Sequence, residues 1–138
     1  MLIIGASGAV GSAAIQLANS FGALVTGVCS ATNIPLVKSI GASQVIDYTK
    51  EDFTKNGETY DVIFDTVNTI SISRSLKSLN KNGIMILSAA GMPEMIRGLW
   101  ISLTSNKKIM TGVISHTKKD IVLIKELIEA GKYKPVLD

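Results

Sequence analysis

The segment Gly5-Ala6-Ser7-Gly8-Ala9-Val10-Gly11 constrains the fold of this chain more than any other. It joins an apolar run, residues 2–4, to a stretch whose apolar residues recur with helical spacing. Glycines at such a turn permit a sharp bend, let the backbone approach a bound anion and let the helix pack closely on the strand. The N–H groups that begin the helix would hold that anion. The pattern predicts a βαβ unit whose turn binds the pyrophosphate of a dinucleotide through Gly5, Ser7, Gly8, Ala9, Val10 and Gly11.

Strand and helix patterns alternate along the whole chain, which indicates a parallel α/β sheet. Strands are predicted at residues 2–4, 24–29, 44–47, 62–64, 84–87 and 108–114. Helices are predicted at residues 10–21, 33–40 with Asn33 as N-cap, 70–79 with a turn at 82–83 after it, 92–103, and 117 to Gly131. Residues 49–60 are polar and allow a short helix at most. We expect a Rossmann fold, a six-stranded doubly wound parallel sheet with helices on both faces.

Length and composition indicate one globular domain over residues 1–138. The chain is 46% hydrophobic and 18% charged, with a net charge of +3 spread over single residues and pairs. Such a distribution argues against a nucleic-acid-binding surface. A single cysteine, Cys29, and a single histidine, His116, can form neither a disulfide nor a protein metal site of the usual ligand number. This cysteine content fits a reducing setting and predicts a cytoplasmic protein.

The first 37 residues contain no charged side chain. A signal peptide would need a basic start, and the first basic residue is Lys38. A membrane span would need about 20 predominantly apolar residues, and glycines and polar side chains interrupt the run. We interpret the segment as buried strand, turn, helix and strand, with no contact with a membrane.

The end of the predicted second strand indicates which dinucleotide would fit. Domains that bind NAD usually place Asp or Glu about 20 residues after the glycine turn, where the carboxylate binds ribose hydroxyls. No acidic residue precedes Asp47, and the strand is followed by small polar residues from Ser30 to Asn33. These would tolerate a 2′-phosphate that a carboxylate would repel. No arginine stands there to bind the phosphate, so NADPH is preferred over NADH only because repulsion is missing.

Other reactive side chains have plainer interpretations. Cys29 ends a buried strand and is interpreted as an apolar filler, and His116 as a solvated loop residue. Asp65 ends the fourth strand, where it would either position a ribose or cap the following turn. The chain also lacks a tyrosine with a lysine four residues later, the proton-transfer pair of short-chain dehydrogenases. No catalytic residue is therefore predicted.

Five segments in order along the chain carry a family resemblance. They are residues 2–11 (LIIGASGAVG), 26–30 (TGVCS), 41–48 (GASQVIDY), 60–67 (YDVIFDTV) and 132–136 (KYKPV). Together they resemble the medium-chain dehydrogenase/reductases, and within them the zinc-free branch of quinone and enone reductases. The resemblance covers essentially the whole chain. It implies an NADP(H) cofactor, no zinc, and hydride transfer to a quinone or an α,β-unsaturated carbonyl in an intact enzyme.

The resemblance also implies roles for single positions. Gly8 to Gly11 match the pyrophosphate loop, while Ser30 and Tyr48 match positions that contact the adenosine 2′-phosphate end. The positions matched near the nicotinamide are Val67, Ser88, Ala89 and Ala90. Asn33 stands where the family often has lysine or arginine, and Asn68 replaces a usual glycine. Relatives pair their sixth strand across a two-fold axis, so Lys108 to Ile114 is the expected homodimer edge.

Family members carry a GroES-like catalytic domain before the dinucleotide domain, and here the first strand follows Met1 directly. We therefore expect a cofactor domain that binds the dinucleotide without turnover. Two alternatives stay open. A non-catalytic dinucleotide sensor would bind tightly and change its assembly state. An atypical NmrA-like short-chain reductase also opens with Gly-Ala-Ser-Gly, although residues 45–48 argue against it.

Overall fold

Six parallel strands form one sheet in the part of the chain that the structure describes. This computed structural model describes residues 1–68, 70–88, 100, 105–111, 122, 125–126 and 129–131. The strands are β1 (Leu2–Ile4), β2 (Thr26–Cys29), β3 (Gln44–Asp47), β4 (Tyr60–Asp65), β5 (Leu79–Leu87) and β6 (Lys108–Thr111). Their order is β3-β2-β1-β4-β5-β6, and each neighbouring pair is parallel. The predicted Rossmann fold is confirmed.

Within the described ranges, three α-helices connect these strands. They are α1 (Ala9–Ser20), α2 (Ile34–Ser39) and α3 (Ile72–Ser75), with 3-10 turns at Ala31–Asn33 and Leu76–Ser78. Gly22, at φ +83°, follows α1 and lets the chain turn back toward β2. No helix in the described ranges is long and apolar enough to cross a membrane.

The core has two layers because strand residues alternate between the faces of the sheet. Ile3 points to a cluster with Ile15 of α1 and Val37 of α2. Its neighbours Leu2 and Ile4 point to the opposite cluster, which also holds Phe53, Ile63 and Met85. Burial on both faces explains why the first 37 residues carry no charge: their apolar residues form a central strand and the helix that covers it.

The order of strands reverses between β1 and β4, which are adjacent in the sheet but belong to different halves of the fold. Connections leave the carboxyl ends of these strands in opposite directions, so a crevice opens there. The glycine turn that follows β1 lies at this crevice. The topology therefore places the predicted binding residues at the position where such sheets bind ligands.

Several predicted elements differ in extent. β2 begins at Thr26 rather than at residue 24, and Leu24 is exposed. The helix predicted for residues 70–79 is only α3 and a 3-10 turn, because Leu79 is already extended and pairs with Tyr60 of β4. Asn82, predicted in an exit turn, lies within β5 with φ +62°. Asn82 thus has the backbone conformation of a turn residue, as predicted, but pairing with β4 continues the strand on both sides of it.

Several predictions fall outside the described ranges. They concern the helix at 92–103 except Trp100, residues 112–114 of the sixth strand, and the start of the last helix. In the last predicted helix, Val122, Lys125, Glu126 and Glu129 are helical, and Gly131 has φ +71°.

Candidate functional site

A cleft of about 850 Å³ opens at the carboxyl ends of β1, β2 and β4. Its walls are the glycine turn, the residues after β2 and β3, and the segment between β4 and α3. Nine of the predicted cofactor residues line it: Gly5, Ser7, Gly8, Ala9, Val10, Ser30, Asn33, Tyr48 and Val67. Segments far apart in sequence thus form one concave surface.

Gly5 makes the first bend after β1. Its φ is +78°, and a Cβ there would lie 2.4 Å from Oγ1 of Thr66. That hydroxyl donates to the carbonyl of Ile4 at 2.7 Å, which ties the turn to the chain after β4. Both the backbone conformation and the available space therefore require glycine at this position.

Gly11 lies behind the turn and is buried in the first turn of α1. A Cβ at residue 11 would lie 2.1 Å from the carbonyl oxygen of Gly5. Gly11 is not among the described lining residues of the cleft. The structure thus gives Gly11 a packing role, and its contact with a cofactor stays a prediction.

Gly8 differs from both of these glycines. Its φ is −73°, and the nearest atom to an added Cβ would be the Gly5 carbonyl oxygen at 3.4 Å, an ordinary contact. The fold itself therefore accepts a side chain at residue 8. Gly8 is the N-cap of α1 and no side chain caps this helix, so the first N–H groups of α1 keep their capacity to bind a ligand. An uncapped twelve-residue helix that begins at a cleft suits a phosphate group.

Asn33 holds the adjoining wall together. Nδ2 of Asn33 donates to Oγ of Ser7 at 3.2 Å and to Oγ of Ser30 at 3.1 Å. Asn33 occupies the predicted N-cap position of α2, but its side chain makes no capping hydrogen bond. The side chain links the glycine turn to the end of β2 instead, a contact between residues 26 apart that no local pattern reveals.

Two further side chains meet where β2 and β3 end. Cys29 is buried at the cleft. Burial raises the pKa of its thiol, and the nearby Asp47 carboxylate raises it further. Asp47 turns away to accept hydrogen bonds on Oδ1 from the backbone and hydroxyl of Thr49, at 3.0 and 2.7 Å. These bonds hold the pKa of Asp47 below its usual value. Tyr48, the next residue, is exposed on the cleft wall.

The structure brings charged residues to the cleft that sequence patterns did not predict. Glu51, Asp52 and Arg74 all line it. The guanidinium of Arg74 donates to Oδ2 of Asp52, so this pair links the loop after β3 to α3. Thr54 donates to the other oxygen of Asp52. The hydrogen bonds from Thr54 are the main cause that lowers the pKa of this carboxyl, and the charge of Arg74 is a smaller one. The Asp52-x-Thr54 spacing signals a local turn, but nothing in the sequence predicts its partner 22 residues away.

Asp65 caps the turn after β4, which decides between its two interpretations. It is fully buried, and its Oδ1 accepts from the N–H groups of Val67 at 3.0 Å and Asn68 at 2.8 Å. Asn68 has φ +54°, a conformation that asparagine tolerates better than most residues. The replacement of a usual glycine by Asn68 therefore preserves the turn.

The positions predicted near the nicotinamide are only partly described. Val67 is half exposed at the cleft. Ser88 follows β5, and its N–H donates to the carbonyl of Asp65 at 3.1 Å. Ala89 and Ala90 lie outside the described residues. In the ranges that are described, no three His, Cys, Asp or Glu side chains group as a metal site would require.

Known proteins align with this chain over its whole length. Quinone-oxidoreductase QR1 of Triphysaria versicolor is 33% identical over 143 aligned residues, covering 100% of this chain and 44% of the relative. NADPH-dependent alkenal/one oxidoreductase of Arabidopsis thaliana is 34% identical over 141, covering 100% of this chain and 32% of the relative. The chain thus spans less than half the length of these relatives.

A solved structure confirms the fold. The quinone oxidoreductase of Coxiella burnetii superposes with a TM-score of 0.86 at 22% identity, covering 99% of this chain and 43% of that one. At this identity the likeness concerns the fold alone.

The prediction of a cytoplasmic protein is wrong, because the relatives are named as proteins of organelles. Both plant relatives are named chloroplastic, and relatives from mouse and cattle are named mitochondrial. The prediction rested on the single cysteine, and a low cysteine content suits any compartment that does not promote disulfides. Cysteine number therefore does not distinguish the cytoplasm from the interior of an organelle.

The family model described as "Zinc-binding dehydrogenase" matches residues 9–129. The match includes α1, every strand after β1 and the cleft walls they carry. The chain therefore belongs to this family, within the medium-chain dehydrogenase/reductases and their quinone-oxidoreductase-like branch.

Proposed function

We propose that this chain is the NADP(H)-binding domain of a zinc-independent oxidoreductase. The observation that carries the proposal is the uncapped N-terminus of α1 at Gly8, facing a cleft whose β2 wall is uncharged. Support also comes from two relatives, one named an NADPH-dependent oxidoreductase and one, from Escherichia coli, solved as a complex with NADPH. In a protein of the relatives' length, such a domain would serve reduction of a quinone or an enone.

The cofactor would lie along the cleft from the adenosine side to the nicotinamide side. Ala9 and Val10 would hold the pyrophosphate with backbone N–H groups, and Gly8, whose own N–H donates to the Gly5 carbonyl at 3.0 Å, would let it approach the backbone. Ser30 and Tyr48 would bind the adenosine ribose and its 2′-phosphate, while Val67 and the chain after Ser88 would contact the nicotinamide side. When bound, the nicotinamide supplies the hydride, and the protein supplies position and electrostatics.

The charges around the cleft bear on the choice between NADPH and NADH. No carboxylate stands at the end of β2, where one would repel a 2′-phosphate. Among the described lining residues, the acidic side chains are those of Asp52, which is paired with Arg74, and Glu51, which accepts a hydrogen bond from Asn56 at 2.9 Å. The hydroxyl and amide groups of Ser30 and Asn33 are themselves uncharged and add no repulsion toward a 2′-phosphate.

A titration of the purified chain with NADPH and NADH, followed by nicotinamide fluorescence, tests this proposal. We expect NADPH to bind at least about tenfold more tightly, equivalent to about 1.4 kcal/mol. Equal affinities would contradict the preference for NADPH, and absence of binding by either would contradict the proposed function.

The acceptor would be bound by sequence that the relatives carry outside the matched region. We therefore propose that the chain by itself binds cofactor and does not reduce quinones or enones. Assay of the purified chain with NADPH and a benzoquinone should give the background rate. Turnover at ordinary enzymatic rates of about 1 s⁻¹ or more would contradict this part of the proposal.

We also propose a homodimer that forms through β6. This strand is the last in the described order of the sheet, and its Met110 is 55% exposed. The outer strand of a sheet offers backbone groups for pairing with a second copy. Sedimentation velocity should detect a concentration-dependent dimer, and a monomer at all concentrations up to about 100 µM would contradict the pairing.

A further inference from the structure

We propose that Asn33 is a positioning residue that makes the hydroxyl of Ser30 a hydrogen-bond donor toward the cleft and so selects a cofactor that carries a 2′-phosphate. The inference rests on the proposed function and adds the residue that sets its specificity. In this role Asn33 acts through its neighbour and does not need to touch the phosphate.

The geometry fixes which groups donate. The amide nitrogen of Asn33 carries two hydrogens, and Oγ of Ser7 and Oγ of Ser30 lie within hydrogen-bond distance of it, at 3.2 and 3.1 Å. A serine hydroxyl that accepts a bond on its oxygen keeps its own hydrogen for a further partner. Both serines line the cleft, so that hydrogen is available to a ligand there.

The backbone holds Asn33 in place. Its N–H donates to the carbonyl of Ser30 at 3.0 Å, which closes the 3-10 turn between the two residues. The next residue, Ile34, begins α2, and Pro35 follows in its first turn. A side chain anchored in this way loses little further freedom when it bridges the two hydroxyls.

The direction of these bonds decides which ligand is favoured. An O–H group that donates to a phosphate oxygen forms a charge-assisted bond, stronger than one between neutral groups. A hydroxyl that already donates to an acceptor on the protein presents only lone pairs, which oppose an anion. Asn33 would therefore give Ser30 a preference for a 2′-phosphate without a positive charge at residue 33.

Binding of 2′,5′-ADP and 5′-AMP to the full chain isolates the 2′-phosphate, because the two probes share the adenosine and the 5′-phosphate. Asn33→Leu removes both donors without adding charge. We expect it to weaken the binding of 2′,5′-ADP about five- to tenfold relative to that of 5′-AMP. Any effect that arises through Ser7 should weaken both probes equally. Asn33→Ala removes the same two donors in a smaller uncharged side chain and should weaken 2′,5′-ADP to a similar extent relative to 5′-AMP.

A double-mutant cycle with Ser30→Ala separates positioning from direct contact. If Asn33 acts through the Ser30 hydroxyl, Asn33→Leu should change 2′,5′-ADP affinity less than twofold in the Ser30→Ala background. A full effect in that background would overturn the inference. Thermal unfolding of each variant checks its fold, and Asn33→Ala, which also removes both donors without adding charge, provides the test if Asn33→Leu does not fold.

Failure of the inference can be distinguished from failure of the proposed function. A wild-type chain that prefers 2′,5′-ADP, with neither Asn33 variant changing that preference, would overturn the inference alone. A wild-type chain that binds both probes equally would overturn the NADPH preference as well as this inference. If Asn33→Leu weakens both probes equally, Asn33 only maintains the shape of the site. That result would also overturn the inference.

Discussion

The carbonyl oxygen of Gly5 lies 2.1 Å from the point that a Cβ on residue 11 would occupy. The turn after β1 and the first turn of α1 are thus in contact through backbone atoms alone. Gly11→Ala would force these segments apart, and we expect it to lower the free energy of unfolding by about 1–3 kcal/mol. Urea unfolding followed by circular dichroism measures the change. An unchanged midpoint would contradict this packing.

Gly8→Ala is the matched change at a position where the fold has room. Its added Cβ would meet the Gly5 carbonyl oxygen at 3.4 Å, and its φ of −73° suits alanine. We expect a loss of stability of about 1 kcal/mol or less, since alanine is the weaker N-cap. NADPH should nevertheless bind more than about tenfold more weakly, because the methyl group would occupy space that the pyrophosphate needs. NADPH affinity equal to wild type would place the pyrophosphate elsewhere.

Asp47 should make part of the stability depend on pH. Hydrogen bonds from Thr49 hold the pKa of Asp47 below its unfolded value of about 3.9, so the native state binds fewer protons than the unfolded chain. The stabilisation is present above pH about 4 and is lost as the pH falls through the lower native pKa. Urea midpoints of wild type and Asp47→Asn should differ at pH 6 and converge toward pH 3. A constant difference over this range would contradict the assignment.

Cys29 should react slowly in the folded protein. The thiol is 2% exposed, its pKa is raised by burial, and it lines the cleft. Reaction with a disulfide reagent at pH 8 should be more than about tenfold slower than in urea, where the same single cysteine provides the reference rate. Saturating NADPH should slow the reaction further. A native rate equal to that in urea would contradict the burial.

Asn68 tests the left-handed turn that follows β4. Its φ of +54° costs most side chains about 1–2 kcal/mol, asparagine less and glycine almost nothing. We expect Asn68→Gly to match or exceed wild type in stability, and Asn68→Ala to fall about 1 kcal/mol below it. Thermal unfolding of the two variants in parallel gives the comparison. Equal stabilities of the glycine and alanine variants would be incompatible with the turn.

The sheet could be predicted because its information is local. Apolar runs such as residues 2–4, the glycine turn and the helical spacing of α1 are properties of short segments, and each directly limits backbone conformation. Leu79 shows where such evidence ends. Its neighbours have helical spacing, yet pairing with Tyr60 of β4 makes it the first residue of a strand. A partner 19 residues away outweighs local preference, and no local pattern records it.

The same distinction between local and tertiary information applies to the candidate site. By itself, the sequence determined that a glycine turn begins a helix after β1 and that no carboxylate stands at the end of β2, because both depend on residue type and short spacing. Only the tertiary structure decided that Gly8 is free of packing demands while Gly11 is not, that Asn33 bridges Ser7 and Ser30, and that Arg74 pairs with Asp52 at the cleft. Each of these depends on the distance between atoms from separate segments, which is fixed only when the two halves of the sheet pack around their shared core.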